Sequence, residues 1–555
     1  MLVDSGGPLC STPTCLANSR HIHCRIPAAA PVRLRLRQPN LHFPASSQRS
    51  ARETQVTAAA LTAPQSILDY VSKQPNLMEC LHPGKQLEAV EFQDGKLNHV
   101  FHVYCRDNSS SHLIVKHAPP YAKCLGEALQ LSQERLRIEV EAMRTVHGHA
   151  PDHVPTIHHY DAEQSVMAMQ FLAAPHMKVM LGLHRHGLCY PHLAQHVSSL
   201  LSASLFYTSA HVLSPGDMAA NAQRFANEAI VAANERVVLT EPLDPMCKAN
   251  RQLSPAVEEY AETLRKDAQV LQDLEECVRS YRNKKEALLH NDLHTGNLLA
   301  TATSTYCIDW EFATVGPMGF DLGCLLGVLL LAYVVLRYQP ATEVLDSPHQ
   351  PPGSRDSRQT GRPGLLSHPN SESSVGSVFM EGGTQDGRQS MQAADGDGSK
   401  GESSERAHRR EQQCEWLLDA LCELWSMLDL KFKRLQEEVD TKEAASLGRG
   451  QHAFVNAGGD GPRSAALPTP ASSQVWADTL GFAAFCMIRL TIGMHAYPGY
   501  EFIHNRVLRS RAEVDSLNVA VELLALRRKA LKEDSVCGMQ HVVAEVRNKL
   551  TCLVW

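Results

Sequence analysis

The run His290-Asn291-Asp292-Leu293-His294-Thr295-Gly296-Asn297 and the run Ile308-Asp309-Trp310-Glu311-Phe312 set two acidic clusters one hairpin apart. Phosphoryl transfer asks little covalent work of a protein: a hydroxyl must sit in line with a γ-phosphate while metal ions neutralise the developing charge. Asp292 has the position of a carboxylate that orients the attacking hydroxyl. Asn297, five residues on, fits the amide ligand of a His-x-Asp-x-x-x-x-Asn loop. Asp309 and Glu311 would then hold Mg2+. A single Asp in a polar loop is more often a helix cap, so the spacing carries the reading. Leu298-Leu299-Ala300 and Tyr306-Cys307-Ile308 read as two short strands that return Asp309 to the neighbourhood of Asp292.

Such a site needs a nucleotide platform, and the preceding chain supplies a candidate. Leu87 to Phe92 reads as a strand, Asp94-Gly95-Lys96-Leu97-Asn98 as a turn whose backbone amides could cover phosphates, and Val100 to Tyr104 as the returning strand. Leu113-Ile114-Val115-Lys116 makes a third strand ending in a lysine. The next helix carries Glu139 and Glu141, and Glu139 shares a face with Met143, so Glu139 is the expected partner that keeps the Lys116 ammonium charged near the α- and β-phosphates. The strand Val166 to Leu172 should end at a hinge where adenine pairs with backbone, placing Gln170, Phe171 and Leu172 there by position alone. Residues 195–285 read as amphipathic helices.

The run Asp309-Trp310-Glu311-Phe312-Ala313 followed by Gly316-Pro317-Met318-Gly319-Phe320-Asp321-Leu322-Gly323 resembles the methylthioribose kinase family, small-molecule kinases of the protein-kinase-like (aminoglycoside phosphotransferase-like) fold. The loop Pro120-Tyr121 to Gly126-Glu127 is similar to that family too, and Met487-Ile488-Arg489-Leu490 is similar to its Met-Ile-Arg-Arg motif, with Leu490 where the second arginine stands. The family usually has Gly at Asn291 and Ser at Asn297. The resemblance implies an α+β bilobal fold: a small N-lobe with an antiparallel sheet and a mainly helical C-lobe. It also implies ATP as phosphoryl donor with Mg2+, Asn98 and Trp310 among the nucleotide contacts, and Arg489 with Asp292 on the substrate. The implied reaction is phosphorylation of the anomeric 1-hydroxyl of 5-methylthioribose in methionine salvage, by a homodimer. A kinase of the same fold acting on an aminoglycoside, choline or homoserine is the alternative, as is a non-catalytic nucleotide-binding scaffold.

The 555 residues, 43% hydrophobic, suffice for two or three domains, and a net charge of -7 gives no pull toward nucleic acid or an anionic membrane. A small-molecule substrate is expected. The 16 cysteines show no Cys-x-x-Cys pair, which argues for reduced thiols. Leu322 to Leu336 is shorter than a membrane span, contains two glycines, and reads as a buried core helix. Asp321 at its start reads as a cap for that helix, or else as a brace for the catalytic loop. Residues 1–62 are Arg-rich and acid-poor, the composition of a chloroplast or mitochondrial transit peptide, with a disordered tail on a cytoplasmic protein as the alternative. The expected organisation is an N-lobe over 63–172, C-lobe segments over 173–339, 411–444 and 475–555, and disordered insertions over 340–410 and 445–474.

Overall fold

The computed structural model describes residues 61–81, 86–93, 95–124, 126–339, 398–447, 467–534 and 536–551. All but the last two residues of the expected targeting segment lie outside the described residues, as do most of the two expected insertions.

The N-lobe sheet comprises β1 (Leu87–Phe92), β2 (His99–Cys105), β3 (Asn108–His117), β4 (Ile157–Asp161) and β5 (Val166–Gln170), in spatial order β1-β2-β3-β5-β4 and antiparallel throughout. Alternation along β2 and β3 gives the sheet two characters. Phe101, Val103, Leu113 and Val115 face outward, where the helices Pro64–Val71 and Pro75–Leu81 bury them. The register pairs Val100 with Lys116 and His102 with Ile114 on the opposite face, toward the helix Glu134–His147. A lysine that follows three apolar strand residues is thereby carried into the interior.

The C-lobe is mainly helical. Its centre is the helix Met318–Tyr338, buried on every side from Met318 to Leu336, as the sequence pattern predicts. The helix Ser473–Ile492 lies against it. Gly319, Gly323 and Gly327, spaced i, i+4, i+8, form the contact: a Cβ at Gly323 would stand 2.6 Å from the Thr479 carbonyl oxygen and 2.7 Å from the Phe482 Cβ. Both helices are long and apolar enough to cross a membrane, and in this fold each is packed inside protein. The helix Gly398–Leu447 corrects the expected boundaries: the segment assigned to an insertion up to residue 410 is already helical from Gly398, and the helix passes residue 444. On this helix Arg410 has a structural task, donating to the carbonyls of Leu336 and Gln339 at 3.1 and 2.8 Å and so closing the end of the central helix.

The chemistry-bearing hairpin joins the lobes. Leu298–Ala300 pairs with Thr305–Cys307, and Ala287–Leu289 pairs with Thr314–Gly316, so the two acidic runs are cross-linked by backbone at both ends. Among the described residues the cysteines are unpaired thiols.

Candidate active site between the lobes

Lys116 lies at the base of the cleft, 2% exposed, donating from Nζ to Glu139 Oε1 and to Asp309 Oδ1, both at 2.7 Å. Burial opposes its charge, but Asp309, Glu139 and Glu311 outweigh burial and raise the ammonium above its ordinary value. One lysine therefore joins the sheet, the helix Glu134–His147 and the acidic hairpin. Glu141 is turned outward to Arg137 and Arg224, so the choice of Glu139 from helix-face spacing agrees with the observed pairing.

The catalytic-loop segment is held by a brace of fully buried groups. His290 and Asn291 donate their backbone N–H groups to Asp321 at 2.6 and 2.9 Å. Asp321 thus braces the loop and does not cap its own helix, which corrects the capping reading. Burial pushes the Asp321 carboxyl up to about 7, with the two N–H donors opposing the rise. Asn291 has φ +66°, in the left-handed region that glycine and asparagine tolerate best. That conformation accounts for Asn standing where the resembled family has Gly. Its side chain is fixed on both sides, accepting from the Tyr281 hydroxyl at 2.8 Å and donating to the Phe312 carbonyl at 3.0 Å.

Asp292 follows directly and keeps 27% of its side chain open. Burial works to raise its pKa, yet His294, 3.5 Å away, and then Arg489 hold the carboxyl well below the usual carboxylate range. Asp292 is therefore an ionised acceptor facing the cleft. Asn297, 7% exposed, donates Nδ2 to the Asp292 carbonyl at 3.0 Å, which fixes its amide beside that residue. His290 stands between the acidic runs: its ring donates from Nε2 to the Ile308 carbonyl at 2.8 Å, accepts from the Asp292 N–H at Nδ1, and feels the charges of both Asp292 and Asp309. Asp309 has φ +63° and a side chain 42% open. Despite burial, Lys116 and then Lys178 hold its carboxyl below the ordinary value.

Four carboxylates gather here, those of Glu139, Asp309, Glu311 and Asp292, and Lys116, Arg135, Lys178 and Arg489 act on them. Oxygen ligands suit Mg2+, which is ordinarily held by one or two carboxylates together with substrate phosphates. Among the described residues no group of three or more His, Cys, Asp or Glu side chains makes a self-contained metal cage. The open Asp309 carboxylate and the amide oxygen of Asn297 fit a cation shared with a nucleotide. Glu311 is more constrained, its Oε2 accepting from Asn98 Nδ2 at 2.7 Å.

The remaining expected residues divide. Arg489 sits in the last turn of Ser473–Ile492, close enough to act on the Asp292 charge, with its Nε buried and unpartnered. Gln170 ends β5 with its backbone N–H on the Thr156 carbonyl at 2.9 Å, and Phe171 stacks on His102 at 4.1 Å, so Gln170, Phe171 and Leu172 follow the sheet where a hinge belongs. The Trp310 indole is 1% exposed and packs beneath His290, donating to the Cys307 carbonyl at 3.3 Å. Its ring belongs to the core, so a nucleotide contact from Trp310 would fall to its backbone. Asn98 is 3% exposed, and its amide is committed to Glu311 and Arg135, so a nucleotide contact from Asn98 would fall to its backbone. Arg135, Tyr281 and His294 are site residues that motif spacing did not single out. Arg135 alone carried a signal, lying i, i+4 from Glu139.

An antiparallel N-lobe sheet, a helical C-lobe and this cleft make a bilobal protein-kinase-like fold, and residues 88–342, just under half of the chain, match the family model described as "Phosphotransferase enzyme family". Within that class the chain is similar to "Methylthioribose kinase 1" of Oryza sativa subsp. japonica, 35% identical over 272 residues, 48% of this chain and 62% of that protein. It is likewise similar to the "Methylthioribose kinase" of Bacillus velezensis, 36% identical over 245 residues, 44% of this chain and 61% of that one. The matched stretch thus spans less than two thirds of either relative. A solved choline kinase from Cryptosporidium parvum Iowa II aligns over 80% of this chain and 89% of its own, at 12% identity and a TM-score of 0.33.

Proposed function

We propose that this protein is an ATP-dependent kinase that phosphorylates the anomeric 1-hydroxyl of 5-methylthioribose, giving the 1-phosphate and ADP in methionine salvage. The observation that carries the reading is the ionised, partly open Asp292 beside Arg489, one hairpin from the Lys116–Asp309 pair. The sugar is supported by the similarity to methylthioribose kinases of a plant and a bacterium, and a homodimer by the resemblance alone.

In the proposed reaction the sugar hydroxyl oxygen bonds to the γ-phosphorus as the bond to the β-phosphate oxygen breaks, and ADP leaves with that electron pair. Asp292 accepts the hydroxyl hydrogen bond and orients the oxygen; being strongly acidic, it receives the proton late, as the oxygen becomes bonded to phosphorus. Lys116 grips the α- and β-phosphates, and Arg489 offers a planar fork to the oxygen-rich substrate. Asp309 and Asn297, with Glu311 beside them, would hold Mg2+, which supplies charge neutralisation at the phosphates when bound.

The test is ADP release by the full chain with ATP and Mg2+ over methylthioribose, an aminoglycoside, choline and homoserine. Methylthioribose should turn over, EDTA should abolish the rate, and Asp292→Asn should lower kcat roughly 10²- to 10⁴-fold. Turnover of another alcohol without methylthioribose overturns the substrate, and ATP binding without any turnover favours the scaffold reading. The Arg-rich first sixty residues support import into a chloroplast or mitochondrion; a reporter fused to them that stays diffuse in the cytosol counts against it.

A further inference from the structure

Arg135 occupies the first turn of the helix Glu134–His147 with its side chain 1% exposed. A guanidinium removed from water is costly unless all five N–H donors find acceptors. Nε donates to Asn98 Oδ1 at 3.0 Å, Nη1 to the Ser132 carbonyl at 2.8 Å, and Nη2 to the Pro119 carbonyl at 2.7 Å. Longer bonds reach the carbonyls of Leu131, Leu97 and Tyr121. One side chain thus gathers the turn before β2, the loop after β3 and the approach to its own helix.

Two of its contacts go beyond holding loops. By occupying Asn98 Oδ1, Arg135 fixes which way round the amide faces, so that Asn98 Nδ2 meets Glu311 Oε2 at 2.7 Å. Arg135 Nε itself lies 3.6 Å from that oxygen. Glu311 belongs to the acidic hairpin of the C-lobe side, two residues from the Asp309 that bonds Lys116. The chain Arg135–Asn98–Glu311 is therefore a second bridge between the lobes, parallel to Lys116–Asp309, and it joins the two segments that a nucleotide's phosphates would lie between.

We infer that Arg135 is a positioning residue, which through Asn98 latches the phosphate-covering turn onto Glu311 so that the nucleoside triphosphate meets both segments already in register. The inference rests on the kinase reading for its ligand. A pre-registered turn binds without first being ordered, so the latch acts on nucleotide affinity. It leaves sugar binding, on the Arg489 side of the cleft, untouched.

The experiment measures ATP and ADP affinity directly by calorimetry, with and without Mg2+, alongside KM for each substrate and the thermal midpoint. Arg135→Met is expected to weaken ATP on the order of 10- to 100-fold and raise the KM for ATP with the sugar KM unchanged. Arg135→Lys should recover part of that loss, because an ammonium can still meet Asn98 Oδ1. Asn98→Asp keeps the arginine and its carbonyl partners but sets a carboxylate against Glu311, and should weaken ATP to a similar degree, with the double variant little worse than either. Arg527→Met removes a buried arginine paired with Asp273 and Glu276 remote from the cleft. It should lower the thermal midpoint and leave ATP affinity unchanged. A folded Asn98→Asp protein with wild-type ATP affinity overturns the latch, whatever Arg135→Met does. Because affinity is the readout, wild-type protein that binds ATP but phosphorylates no sugar would sink the kinase reading without deciding the latch.

Discussion

Replacing Asp321 by Asn tests how the catalytic loop is held. The carboxylate receives two backbone N–H groups, from His290 at 2.6 Å and Asn291 at 2.9 Å, in a site 1% exposed. Hydrogen bonds to a charged group contribute about 1.5–3 kcal/mol each. Asn has one acceptor oxygen, so one bond survives in neutral form while the amide NH2 is turned toward the other N–H donor, leaving that donor unmet in the interior. The combined cost is about 2–4 kcal/mol, a large part of the ~5–15 kcal/mol by which domains are ordinarily stable. Part should appear as a thermal midpoint lowered on the order of 2–5 °C. The rest should appear as displacement of Asp292, the next residue in the chain, and a shift of about 1 Å at a reacting group can cost around 100-fold in rate. The assay pairs ADP release, at a temperature where circular dichroism shows the variant folded, with a melting curve. The expected pattern is a kcat lowered at least 10-fold with the KM for ATP little changed, since Lys116 is held from the other lobe. An Asp321→Asn protein with wild-type kcat and midpoint would show that the loop does not depend on this brace.

Two further perturbations follow from buried groups. His184 is enclosed, bonded to the Tyr497 hydroxyl at 2.8 Å and to Gln339 Oε1 at 3.1 Å, and burial lowers its pKa to about 4, with Arg410 acting in the same direction. A histidine lowered in the fold contributes stability above its unfolded value near 6.5 and loses it as pH falls from there toward 4, so about 2 kcal/mol should be gone at pH 5. Urea midpoints at pH 7.5 and 5 should differ accordingly, and His184→Gln should shrink the difference; an unchanged difference refutes the assignment. Gly323→Leu places side-chain atoms where Thr479 and Phe482 already stand, so the central helices must separate at a cost of about 3 kcal/mol or more. Gly323→Leu protein with a wild-type urea midpoint would mean that the helices do not meet there.

The residues legible in the sequence are those whose partners are close in sequence or fixed by periodicity. Asp292, Asn297 and Asp309 lie within one hairpin, so spacing alone returns them to one place, and Lys116 with Glu139 follows from a strand that ends inward and a helix face that repeats every four residues. Arg135 lies i, i+4 from Glu139 on that same face, yet a cation in a helix's first turn ordinarily reads as solvated. What buries it is a set of carbonyls at 97, 119, 121, 131 and 132. Arg410 poses the same difficulty, because it answers to the carbonyls of Leu336 and Gln339 some seventy positions upstream. So does Asp321, whose two donors are backbone N–H groups some thirty positions upstream. A backbone carbonyl or amide leaves no mark on residue identity, so side chains that answer only to backbone pass in a sequence for surface charge or caps. That gap falls on the residues that hold the site in place and spares those that carry its charge.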